Sequence, residues 1–128
     1  MSAKHPIISV TGSSGAGTTS VKKTFEQIFR REGLKAAFIE GDAYHRYNRA
    51  EMQAAMEAAE SAGNQEFSHF GLEANLLKEL EDAFRSYGEI GTAKTRHYIH
   101  DHTHSEKYGA PPGTFTDWEE MPYGSDLL

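Results

Sequence analysis

The sequence contains no cysteine. Disulfide stapling, thiolate metal sites and cysteine nucleophiles are therefore excluded. No run approaches the roughly 18 apolar residues of a membrane span. Met1 to Val10 holds one lysine and a short apolar run, without the longer apolar stretch and small-residue cleavage site of a signal peptide. A soluble cytoplasmic protein, with no membrane partner, is the simplest reading. Basic charge is scarce: 13 Lys and Arg stand against 19 Asp and Glu, for a net charge of −6. A protein that grips phosphate backbones usually carries a basic stripe, and none is present, so general nucleic-acid binding is disfavoured. Lys22, Lys23, Arg30, Arg31, Arg46 and Arg49 are still enough to handle a small phosphorylated substrate. Internal repeats and low-complexity tracts are also missing. What remains is 128 residues, 38% hydrophobic and 25% charged, about one domain with enough apolar side chains to build a core.

Pro6 to Val10 (PIISV) is an apolar, β-branched run ending at Thr11-Gly12, and it reads as a buried strand followed by a turn. From Gly17 the period changes. Val21, Phe25, Ile28 and Phe29 share one helical face, with Lys22, Lys23, Glu26, Gln27 and Arg30 on the other and Gly33 as the stop. Lys35 to Ile39 reads as a second strand. Strand, loop, helix and strand in this order predict a parallel sheet with a right-handed crossover. Asn48 and Glu51 form a capping-box pattern ahead of an Ala- and Met-rich helix that runs to about Ala62. Another helix is expected over Leu72 to Tyr87, closed by Gly88. Thr92 to His100 reads as extended, Gly109 to Ser125 as loop, and Asp126-Leu127-Leu128 as the approach to a further strand.

The strongest chemical signal is Gly12-Ser13-Ser14-Gly15-Ala16-Gly17-Thr18-Thr19, lying between the first strand and the first helix. Its glycines let the backbone turn sharply and aim N–H groups inward. With the helix N-terminus behind them, those groups make a site for nucleotide phosphates. Thr19 falls where the motif G-x-x-x-x-G-K-[ST] places its magnesium ligand. Thr18 stands where that motif has lysine, which removes a charge from the β- and γ-phosphates; Lys22, one turn on, shares its face and is a candidate replacement.

Glu40-Gly41-Asp42 follows the second strand, and ligands of open parallel sheets bind beyond the carboxyl ends of strands. A carboxylate at Asp42 could take the proton from an acceptor hydroxyl attacking a γ-phosphate. His45, Arg46 and Arg49 follow, suited to a phosphate on that acceptor. His97, His100, Asp101, His102 and His104 invite a metal reading. But alternate positions of a strand line one face without converging, so a polar edge above the site is preferred.

The segments ISVTGSSGAGTTSVKKTF, RREG and IEGDAYHRYNR, followed by FSHFGLEAN, TRHYIH and FTDW, resemble the bacterial type of the phosphoribulokinase family over nearly the whole chain. That branch shares the missing loop lysine. The resemblance implies an α/β fold: a P-loop NTPase-type parallel sheet flanked by helices, incomplete at the C-terminus, with residues 1–128 forming the N-terminal nucleotide-binding part of a single kinase domain. It implies transfer of the γ-phosphate of ATP, with magnesium, to the 1-hydroxyl of ribulose 5-phosphate, in the Calvin cycle. Carried over by position, Asp42 is the catalytic base and Gly12 to Thr19 bind nucleotide. His45 and Arg49 contact the sugar phosphate, Tyr98 and His100 lie near it, and Arg31 matches a position linked to effector control. A homo-oligomer is implied for the full-length form. A second acidic strand and an R-D-x-x-x-R-G segment belong to the family pattern and are not in this sequence, so a fragment inactive on its own is expected. A uridine kinase-like nucleoside kinase and a non-catalytic nucleotide-binding module are the alternatives.

Overall fold

The computed structural model describes residues 3–13 and 15–128. Four α-helices dominate: α1 (Thr18–Arg31), α2 (Arg49–Ser61), α3 (Leu77–Ile90) and α4 (His102–Tyr108). Single 3-10 turns lie at Gly41–Tyr44 and Leu72–Ala74. Among the described residues the only regular sheet is a two-stranded antiparallel pair, β1 (Lys94–Thr95) with β2 (Glu119–Glu120).

The expected strands Pro6–Val10 and Lys35–Ile39 are therefore corrected to extended segments without a regular ladder. They do not pair with each other. Both bond to the C-terminal residues, which run between them. Ala36 forms a parallel bridge with Leu127, and the Ala37 amide donates to the Leu127 carbonyl at 2.8 Å. On the other side, Ile8 donates to Leu128 at 2.8 Å and Leu128 donates to Pro6 at 3.1 Å, the slanted pattern of a parallel pair. The segment between them is so short that it supports single bridges only. The reading of Asp126-Leu127-Leu128 as the approach to a strand agrees with this pairing.

Helix α1 starts and stops where the change of period places it. Phe25 and Phe29 stack at 5.6 Å and face an apolar cavity of about 250 Å³ with Ile7, Ile39, Leu80 and Leu128, whereas Val21 and Ile28 of the same stripe stay exposed. Helix α2 carries the predicted capping box in full: the Asn48 side chain accepts from the Glu51 amide, and the Glu51 carboxylate accepts from the Asn48 amide. Helix α3 departs from expectation at both ends. Leu72–Ala74 is a separate 3-10 turn, and Gly88 lies inside the helix, which ends at Gly91 with φ +75°. A left-handed residue is what terminates a helix, and Gly91 has that conformation. The Gly109–Ser125 loop contains β2, and the extended run from Thr92 holds β1 and a Tyr98–Phe115 bridge.

The core gathers Ala43, Tyr44, Ala83, Tyr87, Ala93, Met121 and Leu128. Tyr44 and Tyr87 are almost fully buried, and each hydroxyl has a partner: Tyr44 donates to the Lys94 carbonyl at 3.0 Å, and Tyr87 pairs with Ser125 Oγ at 2.8 Å. Emptying a core site of an aromatic this large costs about 3–5 kcal/mol. The consequence for function is local. Ala43 and Tyr44 anchor the Gly41–Tyr44 turn on α3, which leaves the neighbouring Asp42 and His45 half-exposed on its outer side.

Candidate functional site

Asp42 sits in the Gly41–Tyr44 turn, directly after the second extended segment. Each carboxylate oxygen meets one imidazole: Oδ1 lies 3.2 Å from His45 Nε2, and Oδ2 lies 3.2 Å from His100 Nε2. The hydrogen bond from His45 holds Asp42 below the usual carboxylate range, with the charges of His45 and His100 adding to it against a desolvation penalty. Asp42 in turn raises His45 above its ordinary value, mainly through the same hydrogen bond. The pair is thus biased toward an ionised carboxylate and a protonated imidazole. It remains partly open to solvent, with the Asp42 side chain 48% exposed.

Arg49 begins α2, where its guanidinium donates from Nη2 to the His100 carbonyl at 2.9 Å and its amide donates to Gly113 at 2.8 Å. Gly113 has φ +81°, and a Cβ there would come within 2.9 Å of the Arg49 side chain. The Tyr98 ring stands edge-on to His100 at 4.8 Å. Asp42, His45, Arg49, Tyr98 and His100 therefore come together, from segments up to 58 residues apart, and all but His100 line one cavity of about 810 Å³ with Tyr47, Asn48 and Met52. Arg46 turns aside, donating from Nε to the Glu73 carbonyl at 2.9 Å.

The histidine run splits. His100 faces Asp42, while His102 and His104 belong to α4, whose N-terminus Asp101 caps by accepting from the His104 amide. His97 stacks on Tyr108 at 4.1 Å. The strand-like alternation of His100, His102 and His104 is corrected by that helix, since α4 begins at His102.

The glycine-rich loop leads into α1. Gly15 and Gly17 have φ of +80° and +85°, a region costly for any other residue, and the Ala16 amide donates to Ser13 at 3.0 Å. Ser14, one of the expected nucleotide contacts, lies outside the described residues. Among the described residues no side chain caps α1, whose N-cap is Gly17, so its first amides are open to an anion. Thr18 and Thr19 occupy the first turn. Lys22, the candidate replacement for the loop lysine, pairs with Glu40 Oε1 at 3.0 Å and stands 5.4 Å from the Phe38 ring. Its charge is thereby directed to the end of the second extended segment.

Two residues without a role in the sequence reading support this site. Asn75 contacts His45 Nδ1 through Oδ1 at 2.8 Å. Arg96 donates from Nε to the Ala43 carbonyl at 2.8 Å and from Nη2 to the His45 carbonyl at 2.7 Å, and its guanidinium lies between the Phe115 and Trp118 rings, 3.6 and 4.4 Å from their centroids. Both fall inside FSHFGLEAN and TRHYIH, but no local spacing marks either one.

With this geometry in hand, comparison with known proteins defines the class. Residues 7–128 match the Phosphoribulokinase / Uridine kinase family, and the chain belongs to it. Among its relatives, phosphoribulokinase of Nitrobacter vulgaris is 66% identical over 98% of this chain, and phosphoribulokinase 1 of Cereibacter sphaeroides is 60% identical over all of it. The solved phosphoribulokinase from Rhodobacter spheroides superposes with a TM-score of 0.85 at 56% identity, over 98% of this chain and 42% of that one. The chain spans less than half the length of these relatives, 43% and 44% for the first two.

Proposed function

We propose that this chain is the nucleotide- and acceptor-binding part of a kinase that transfers the γ-phosphate of ATP to ribulose 5-phosphate, giving ribulose 1,5-bisphosphate. The observation that carries the reading is the convergence of Asp42, His45, Arg49 and Tyr98 on one cavity, with His100 against Asp42 at its edge, in a chain whose relatives are named phosphoribulokinases. The extended segments 6–8, 126–128 and 35–37 are read as the start of a P-loop-type parallel sheet.

In this reading Gly12, Ser13, Ser14, Gly15, Ala16, Gly17 and Thr18 surround the ATP phosphates, drawn by backbone amides and the α1 dipole. The fit is sound, since left-handed glycines and a helix start that no described side chain caps are what an anion requires. Magnesium enters with ATP as part of the substrate, with the Thr19 hydroxyl as its ligand from this chain. Asp42 accepts the proton of the acceptor hydroxyl as that oxygen bonds to the γ-phosphorus. The bond from phosphorus to the β,γ-bridging oxygen breaks, and ADP leaves with the electron pair. A carboxylate held at low pKa is a weak base, and this suffices because phosphoryl transfer has a loose transition state in which the hydroxyl proton is lost late. Arg49 binds the acceptor's own phosphate, offering a planar fork of donors, and His45 attracts it by its charge. Tyr98 and His100 shape the adjoining wall.

A uridine kinase-like enzyme would accept an uncharged nucleoside and would have no use for a cationic pair beside its base. ADP release by the protein at its natural length, with ribulose 5-phosphate or uridine as acceptor, separates the two. Turnover with ribulose 5-phosphate alone is expected, and turnover with uridine alone refutes the proposal.

A further inference from the structure

We propose that Asn75 is a positioning residue that fixes His45 as a doubly protonated imidazolium facing Asp42. The proposal deepens the kinase reading, and its consequence for catalysis rests on that reading.

The argument is one of donors and acceptors. The Asn75 amide nitrogen lies 2.8 Å from the His69 carbonyl and 2.8 Å from the Gly71 carbonyl. Both are pure acceptors, so both amide hydrogens are used and the orientation of the amide is determined: turned over, its oxygen would face two carbonyl oxygens. Oδ1 is thereby left as an acceptor, 2.8 Å from His45 Nδ1. Nδ1 must carry a hydrogen to meet it. On the far side of the ring, Nε2 lies 3.2 Å from Asp42 Oδ1, a carboxylate oxygen that can only accept. Nε2 must carry a hydrogen too, and an imidazole with both nitrogens protonated is a cation.

The remaining charged groups do not reverse this. Arg96 is a like charge, but it spends its donors on the Ala43 and His45 carbonyls and stacks on Phe115 and Trp118. Arg49 lines the same cavity and donates to the His100 carbonyl. His100 addresses the other Asp42 oxygen. The raised pKa of His45, caused first by Asp42 and then by desolvation and by Asn75 in opposite senses, agrees with the geometry.

The chemical result is a fixed positive charge beside the base. It keeps Asp42 ionised and offers an attractive field to an acceptor phosphate. Residue 75 thus sets a charge without touching the reacting atoms.

The test is a nitrogen-15 NMR titration of histidine rings in the protein at its natural length, with the His45 signals identified by their loss in His45→Gln. In the wild type, both His45 nitrogens are expected to be protonated at neutral pH, with a midpoint above the ordinary 6.5. Asn75→Leu removes the acceptor and lowers the midpoint by about one pH unit, a roughly tenfold change in acidity. Asn75→Asp retains an acceptor, adds a negative charge and raises it. Opposite shifts from two substitutions of similar size are not produced by general loosening of the turn. A wild-type ring with one bare nitrogen at neutral pH, or two variants shifting in the same direction, would overturn the proposal. The titration requires no turnover, so its result stands or falls separately from the kinase reading.

Discussion

At the scale of single residues, the account rests on the charge pair Asp42–His45. The depressed pKa of Asp42 contributes stability that is present above its ordinary 3.8 and is lost as pH falls through the depressed value. The raised pKa of His45 contributes stability that is complete below its ordinary 6.5 and is lost as pH rises through the raised value. The stability difference between wild type and His45→Gln is therefore expected to be greatest between 3.8 and 6.5 and to shrink on either side. Urea midpoints measured across that range check it, and a difference that grows in alkali contradicts the pairing. Arg49 gives a second prediction. Arg49→Lys keeps the charge and loses the fork, and a charge-assisted hydrogen bond is worth about 1.5–3 kcal/mol. The KM for ribulose 5-phosphate should rise about tenfold to a hundredfold while the KM for ATP stays nearly constant, and steady-state kinetics with each substrate varied in turn decides.

At the scale of elements, the 3-10 turn that carries Asp42 is held from two directions. Ala43 and Tyr44 are buried beneath it, and the Arg96 guanidinium bonds its Ala43 carbonyl and the carbonyl of the following His45 from the side. Arg96→Met retains much of the stacking volume and leaves those carbonyls without their donor, at about 1–3 kcal/mol of stability. Activity should fall more than stability alone explains, because the turn positions the base; thermal melts and kcat on the same samples test this. The elements also show what the sequence could disclose. The Asn48–Glu51 capping box and the α1 period were legible because both are local, set by side chains a turn apart. The end of α3 was not: Gly88 and Gly91 are equally good glycines in the sequence, and only Gly91 takes the left-handed conformation that ends the helix, its amide donating to the Tyr87 carbonyl. Asp42, His45 and Arg49 were legible from their place after the second extended segment. Asn75 and Arg96 were not, because each acts across 30 residues or more on the turn it supports.

At the scale of the whole molecule, the backbone hydrogen bonds of the described residues join segments 6–8 and 35–37 through residues 126–128, and Ile8, Val10 and Phe38 keep substantial exposure. The chain covers 43% of the length of its Nitrobacter vulgaris relative. These 128 residues by themselves are accordingly expected to hydrolyse or transfer no ATP phosphate, and measurable ADP release from the purified chain would contradict this. The central claim is that Asp42 is the proton acceptor in phosphoryl transfer to a sugar phosphate. Its most direct test is Asp42→Asn in the protein at its natural length, assayed for ribulose 1,5-bisphosphate formation alongside binding of a non-hydrolysable ATP analogue. The account predicts that kcat falls about 10²- to 10⁴-fold, the usual contribution of a general base, with analogue affinity unchanged within about twofold. A variant that retains most of its turnover would show that the proton leaves by another route and that Asp42 is not the base.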